Sequence, residues 1–183
     1  RVRPIESPEV LSMLPDAYAQ DIHLDALKNV LGRRAHGLHK GGSANAVHAV
    51  RALHATPDRE GSTVSLDATN AYNRTNISQA KAMLYQYPEL SGLWKMIDWQ
   101  YPEGGTRQVW YRGRAGQAHR VDAVGGVAQG RPSSGALYSL WNVKKLLEPV
   151  LEEVQGKFEA NSVTFNTIMD DGAIAGRPAP VAE

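Results

Sequence analysis

The chain has 183 residues, of which 42% are hydrophobic and 21% charged, and its 20 basic side chains nearly balance 19 acidic ones. This composition is typical of a folded globular protein and excludes collagen-like, low-complexity and disordered chains. The absence of cysteine excludes a disulfide framework and any zinc site built on thiolates. Since no apolar run approaches the ~18 residues of a membrane span, we expect no membrane partner.

Helical patterns dominate the first half of the chain, where apolar residues recur three and four positions apart. Asp16 and Asn76 precede two of these patterns and are the expected N-caps. A short β-prone segment interrupts the helices and ends in Asp67. The predicted helices cover residues 16–31, 46–53, 77–87 and about 93–97.

Two β-hairpins are predicted in the second half of the chain, one on each side of a long helix. The helix begins near Ser134, and Pro149 should kink it. In the second hairpin we expect the Asp-Gly pair at 171–172 to reverse the chain. All four tryptophans are expected in the core. The predicted strands cover residues 108–112, 118–121, 163–169 and 173–175. The fold class that follows is α+β, an antiparallel sheet backed by helices.

The near-zero net charge conceals two basic stretches. Residues 23–54 and residues 104–131 each contain five lysines or arginines against a single aspartate, so each carries a net charge of +4. A solvated surface explains such stretches as well as a bound polyanion does. Charge alone therefore does not identify the function.

Three carboxylates occupy the ends of predicted strands. Asp67 ends the first strand, and Asp170 and Asp171 lie at the tip of the last hairpin. If these strands are neighbours in one sheet, the three acids converge and repel one another unless a cation neutralises them. Magnesium prefers such oxygen ligands, and polymerases and nucleases use pairs of these ions. A polar turn is the alternative interpretation of the adjacent pair.

Short motifs surround these acids in a characteristic order. Residues 65–73 read SLDATNAYN, residues 126–134 read GVAQGRPSS, and residues 168–171 read IMDD. In this order they resemble motifs A, B and C of the reverse-transcriptase palm. The segments RPI at 3–5 and HGLHKGGS at 36–43 resemble finger motifs of non-LTR (LINE-type) retrotransposon reverse transcriptases.

The resemblance implies an RNA-directed DNA polymerase whose partners are an RNA template, a DNA primer and dNTPs. It implies that Asp67, Asp170 and Asp171 are catalytic and bind two Mg²⁺ ions, which Mn²⁺ could replace. Tyr72 would exclude a ribose 2′-OH, which favours DNA synthesis; a palm core aromatic is the other interpretation of this residue. The nucleotide-binding residues that the resemblance implies are Ala68, Asn70, Ala71, Tyr72, Gln129, Gly130, Arg3 and Lys40.

The resemblance also implies a domain organisation, with fingers in residues 1–60 and the palm in 61–183. The chain ends about a dozen residues after Asp171, so we expect the thumb to be absent, activity to be weak or lost, and further domains to be encoded downstream. Ile168 departs from the family, which has an aromatic residue before the acids. Two alternatives remain open: a viral-type RNA-dependent RNA polymerase, and a catalytically silent derivative that binds nucleic acid or protein.

Overall fold

A computed structural model describes residues 10–55, 61–104, 106–157, 163–169 and 171–176. It has the predicted α+β composition, with helices and two small antiparallel sheets. By its contacts the chain divides into two compact units. The first unit comprises residues 1–23 and 70–138, and the second comprises residues 24–69 and 139–183.

The first unit is mainly helical and carries a β-hairpin. Its helices are α1 (Val10–Ile22), α4 (Ala71–Arg74), α5 (Ile77–Leu84), α6 (Ser91–Gln100) and most of α7 (Pro132–Trp141). Asn76 caps α5 as predicted, because its Oδ1 accepts a hydrogen bond from the Gln79 N–H at 3.0 Å. The core of this unit is formed by apolar side chains that include Leu84, Leu90, Leu93, Ile97, Val127, Leu137 and Tyr138.

The predicted helix over residues 16–31 is wrong in its bounds. The chain forms two helices there, α1 and then α2 (Leu24–Leu31), and α1 begins six residues before the expected cap. Asp16 lies inside α1, fully buried, and its Oδ2 accepts a hydrogen bond from the Ser133 N–H at 3.3 Å. The carboxylate therefore satisfies the first turn of α7 rather than its own helix.

The hairpin of the first unit pairs β2 (Arg107–Arg112) with β3 (Ala118–Ala123), which confirms the predicted strands. Most of its side chains are exposed on both faces. The expectation that all tryptophans are in the core is wrong for Trp110 on β2 and Trp99 on α6, each of which is 62% exposed. Within the described part of the chain most side chains of both strands are exposed, so alternation along β2 does not mark a buried face.

The second unit contains a three-stranded antiparallel sheet in the order β1-β5-β4. The strands are β1 (Ser62–Asp67), β4 (Val163–Ile168) and β5 (Asp171–Gly176). Helices α3 (Gly42–His54) and α8 (Glu148–Lys157) pack on this sheet. Their shared core consists of buried apolar residues that include Leu27, Leu31, Leu140, Val143, Val163 and Phe165.

Near Pro149, where the sequence predicts a kink, a π-helical stretch, Asn142–Leu147, lies between α7 and α8. Pro149 has no N–H, and its ring crowds the carbonyl of Lys145, where an α-helical hydrogen bond would form. The wider π-helical pattern directly before it accommodates this defect. Among the described residues, none of the helices combines the length and the apolar character that crossing a bilayer requires.

Candidate metal and nucleotide site

The sheet of the second unit brings Asp67 and Asp171 together. Asp67 is the last residue of β1 and Asp171 the first of β5, and the two are direct partners in the antiparallel register. Direct partners project their side chains from the same face, with Cβ atoms typically about 4.5–5.5 Å apart. The expectation that these two strands are neighbours is therefore confirmed.

The turn before Asp171 is tighter than the sequence predicted. The register pairs Ile168 with Asp171, so only two positions separate β4 from β5, and Met169 has a left-handed φ of +55°. Gly172 already belongs to β5, opposite Thr167 and Leu66. The expectation that the Asp-Gly pair reverses the chain is thus wrong, because the reversal comes before it. Asp170, the remaining acid of the predicted trio, lies outside the described residues.

The two negative charges at the paired ends of β1 and β5 favour a bound cation. Both carboxylates are exposed to solvent, and within the described part of the chain neither forms an ion pair. Like charges directly opposite each other in a sheet are destabilising. Two carboxylates on one face are a donor set that fits Mg²⁺, which commonly takes one or two from a protein. Over the described ranges no group of three His, Asp or Glu could hold a metal.

The segment that resembles a finger motif supports the turn. The Thr167 N–H donates to the Arg34 carbonyl at 2.9 Å, and the His36 ring lies 3.0 Å from Asn166 Oδ1. A Cβ at Gly37 would lie 3.1 Å from both the backbone and the thioether of Met169. No local sequence pattern indicates these contacts, since they join positions about 130 residues apart.

In the first unit, the end of motif A contacts the start of motif B. The Val127 N–H donates to the Tyr72 carbonyl at 2.6 Å. Gly126 adopts a φ of +75°, and a Cβ there would lie 2.5 Å from the backbone of Asn73. Only glycine permits this approach of two backbones.

Two further side chains hold the motif B loop. Tyr101 is buried, and its hydroxyl accepts a hydrogen bond from the Ala128 N–H at 3.0 Å and lies 3.1 Å from Ser134 Oγ. Burial raises the pKa of Tyr101, although these hydrogen bonds act in the opposite direction. Arg107 lies over the Tyr101 ring and donates to the carbonyls of Gly125 and Gly126. No local sequence pattern indicates either residue, because both act through distant partners.

The remaining predicted nucleotide residues are distributed over both units. Tyr72 is half-buried and stacks on the buried Tyr138, with ring centroids 4.9 Å apart. Gln129 is half-buried and Gly130 is exposed with a φ of +113°.

The segment after Asp67 supplies three more of the predicted residues. Ala68 is exposed, Asn70 precedes α4 with a φ of +54°, and Ala71 is buried. Lys40 is exposed in the second unit, and Arg3 lies outside the described residues. Asp67, Asp171, Ala68 and Lys40 thus belong to the second unit, whereas Asn70, Ala71, Tyr72, Gln129 and Gly130 belong to the first.

No protein-family model matches the chain, and a search of curated proteins gives no match.

Proposed function

We propose that the chain is the fingers and palm of a reverse transcriptase, most similar to those of non-LTR retrotransposons. It would transfer deoxynucleotidyl units from dNTPs to the 3′-OH of a DNA primer on an RNA template. The observation that carries the proposal is the pairing of Asp67 with Asp171. The motif pattern requires these two acids to meet, although 104 positions separate them in the sequence.

The fold supports the same proposal in its finer form. A three-stranded antiparallel sheet backed by helices carries motif A on β1 and the end of motif C on β5. In the other unit, the backbone bond between Val127 and Tyr72 joins the start of motif B to the end of motif A.

The proposed reaction is a phosphoryl transfer. The primer 3′-oxygen forms a bond to the α-phosphorus of the dNTP, the bond to pyrophosphate breaks, and the hydroxyl proton passes to solvent. When bound, two Mg²⁺ ions lower the pKa of the 3′-OH and stabilise the leaving pyrophosphate. Asp67 and Asp170 would hold them, with Asp171 as the third acid. Because Asp67 and Asp171 are exposed, substrate oxygens would have access to ions held there.

The nucleotide residues have proposed roles of their own. The Tyr72 ring, held by stacking on Tyr138, would exclude a 2′-OH and so favour dNTPs. Gln129 would hydrogen-bond the nucleotide or the templating base, and Gly130 would allow a close backbone approach. Arg3 would be the main cation on the triphosphate and Lys40 a second one, and the other nucleotide contacts would come from Ala68, Asn70 and Ala71.

Primer extension on an RNA template tests this proposal. With Mg²⁺ or Mn²⁺ the full chain should add dNTPs weakly at most, and Asp67→Asn should abolish any addition. Asp25→Asn is the matched control, because Asp25 is an exposed aspartate of the same unit. Extension that survives Asp67→Asn would contradict the proposed activity.

Sugar selection tests the assignment of Tyr72. Tyr72→Ala should increase rNTP use relative to dNTP use, whereas Tyr72→Phe should preserve the selection because the ring remains. Unchanged sugar selection in Tyr72→Ala would leave the ring as a core aromatic that stacks on Tyr138.

A further inference from the structure

The β2–β3 hairpin is a basic and aromatic surface that the proposed polymerase chemistry does not use. Its strands contain Arg107, Arg112 and Arg120 against one acid, Asp122, and its connecting loop adds Arg114. Arg107 lies over Tyr101 and binds loop carbonyls, so it anchors the base of the hairpin. The other arginines are exposed.

One face of the hairpin concentrates these groups. Trp110 pairs directly with Arg120, and Arg112 follows Trp110 by two positions, so the three side chains project from the same face. Trp110 is 62% exposed. Arg114 lies in the loop next to this face. We call Trp110, Arg112, Arg114 and Arg120 the basic face.

The charges of the basic face are largely uncompensated. Arg120 pairs with Asp122 at 3.3 Å, with both side chains about half exposed. Within the described residues, Arg112 and Arg114 form no ion pair. Exposed guanidinium groups of this kind bind phosphate through paired N–H donors. An exposed indole beside them offers a flat surface on which a base can stack.

We propose that the basic face binds single-stranded nucleic acid, with a base stacked on Trp110 and backbone phosphates contacted by Arg112, Arg114 and Arg120. Charge complementarity favours a polyanion, and the exposed Trp110 ring beside the charges favours a single strand over a duplex. A stacking contact requires an unstacked base, which a duplex does not present. The recognition is independent of sequence, because every base has a π-face. This binding needs neither a metal ion nor the carboxylates of the second unit.

Fluorescence anisotropy with a short labelled oligouridylate, in EDTA, tests the proposal on the full chain. Trp110→Ala should weaken binding about tenfold, which is the usual value of one stacked base. Trp110→Phe should restore most of the affinity, since it keeps a ring and the strand propensity. The double substitution Arg112→Ala/Arg114→Ala should reduce the slope of log K against log salt by about 1.4, or ~0.7 for each phosphate contact.

A control on α6 matches these substitutions. Trp99 is as exposed as Trp110, and Lys95 is an exposed cation one helical turn before it in the same unit. Trp99→Ala and Lys95→Ala should leave the affinity and the salt slope unchanged. Far-ultraviolet circular dichroism of each variant checks that the fold persists. Equal binding of a duplex of the same length would overturn the proposal, as would binding that Trp110→Ala leaves intact.

The result in EDTA separates this proposal from the polymerase proposal. Loss of oligouridylate binding in Trp110→Ala supports the basic face whether or not the chain extends a primer. If the unaltered chain binds no oligouridylate and instead self-associates through the hairpin, the basic face is a protein contact and the proposal is wrong.

Discussion

The contact between motifs A and B predicts a large penalty for Gly126→Ala. Two costs add at this position. The backbone φ of +75° is left-handed, which costs a residue with a Cβ about 1–2 kcal/mol. The new Cβ would also lie 2.5–2.6 Å from three backbone atoms of Asn73, and overpacking of this kind costs about 1–3 kcal/mol. We therefore expect Gly126→Ala to lower the free energy of unfolding by about 2–5 kcal/mol.

Two other glycines separate these costs. Gly116 has a φ of +83° but no heavy atom within 4 Å of the point where a Cβ would lie, so Gly116→Ala should lose only about 1–2 kcal/mol. Gly125, next to Gly126, lies outside the left-handed region and also has open space around it. Gly125→Ala should be neutral or stabilising by up to about 1 kcal/mol, because alanine restricts the unfolded chain.

Urea unfolding followed by circular dichroism measures all three variants against the unaltered chain. The transition midpoint should fall in the order Gly125→Ala, Gly116→Ala, Gly126→Ala, with an unchanged dependence on urea. If Gly126→Ala costs no more than Gly116→Ala, the Asn73 backbone does not lie against Gly126. The contact between the end of motif A and the start of motif B would then be refuted.

Two pH-dependent predictions follow from the first unit. Tyr101→Phe should lower the free energy of unfolding by about 1–3 kcal/mol, because it leaves the buried Ala128 N–H without its acceptor. Because burial raises the pKa of Tyr101, the unaltered chain should also lose stability as the pH rises above about 10. The Tyr101→Phe variant should lose less stability over the same pH range. Burial alone would raise the pKa of Asp98, but hydrogen bonds from Lys81 and Tyr85 outweigh it and lower that pKa. The stability that Asp98 contributes should therefore be present above about pH 4 and be lost as the pH falls further. The urea midpoint of Asp98→Asn should then fall less with decreasing pH than that of the unaltered chain. An equally steep fall in both proteins would contradict this.

Local signals in the sequence predicted the features that depend on near neighbours. Asn76 caps α5 through a group three residues away, and both hairpins follow from strand patterns on either side of short turns. The pairing of Asp67 with Asp171 was expected only from the order of the motifs, since no local pattern joins two strands so distant in the chain. The α+β class followed from these elements.

Features decided by tertiary contacts could not be predicted in this way. Asp16 has the composition of an N-cap, but its partner is Ser133, more than a hundred residues away. Trp110 has the pattern of a core residue and is exposed, because alternation marks a face without showing what covers it. The packing of Gly37 against Met169 likewise depends on a contact between distant positions, where a Cβ at Gly37 would lie 3.1 Å from Met169.

The proposed function depends on Asp67 and Asp171 holding a divalent cation together. Binding of Mn²⁺ to the full chain, followed by electron paramagnetic resonance, measures this without any need for catalysis. The unaltered chain should bind Mn²⁺ and release it when Mg²⁺ is added in excess. Asp67→Asn and Asp171→Asn should each weaken the binding about tenfold or more, because each removes a charged ligand, whereas Asp25→Asn should not. Mn²⁺ binding that is absent, or that is the same in all four proteins, would contradict the metal site and with it the polymerase.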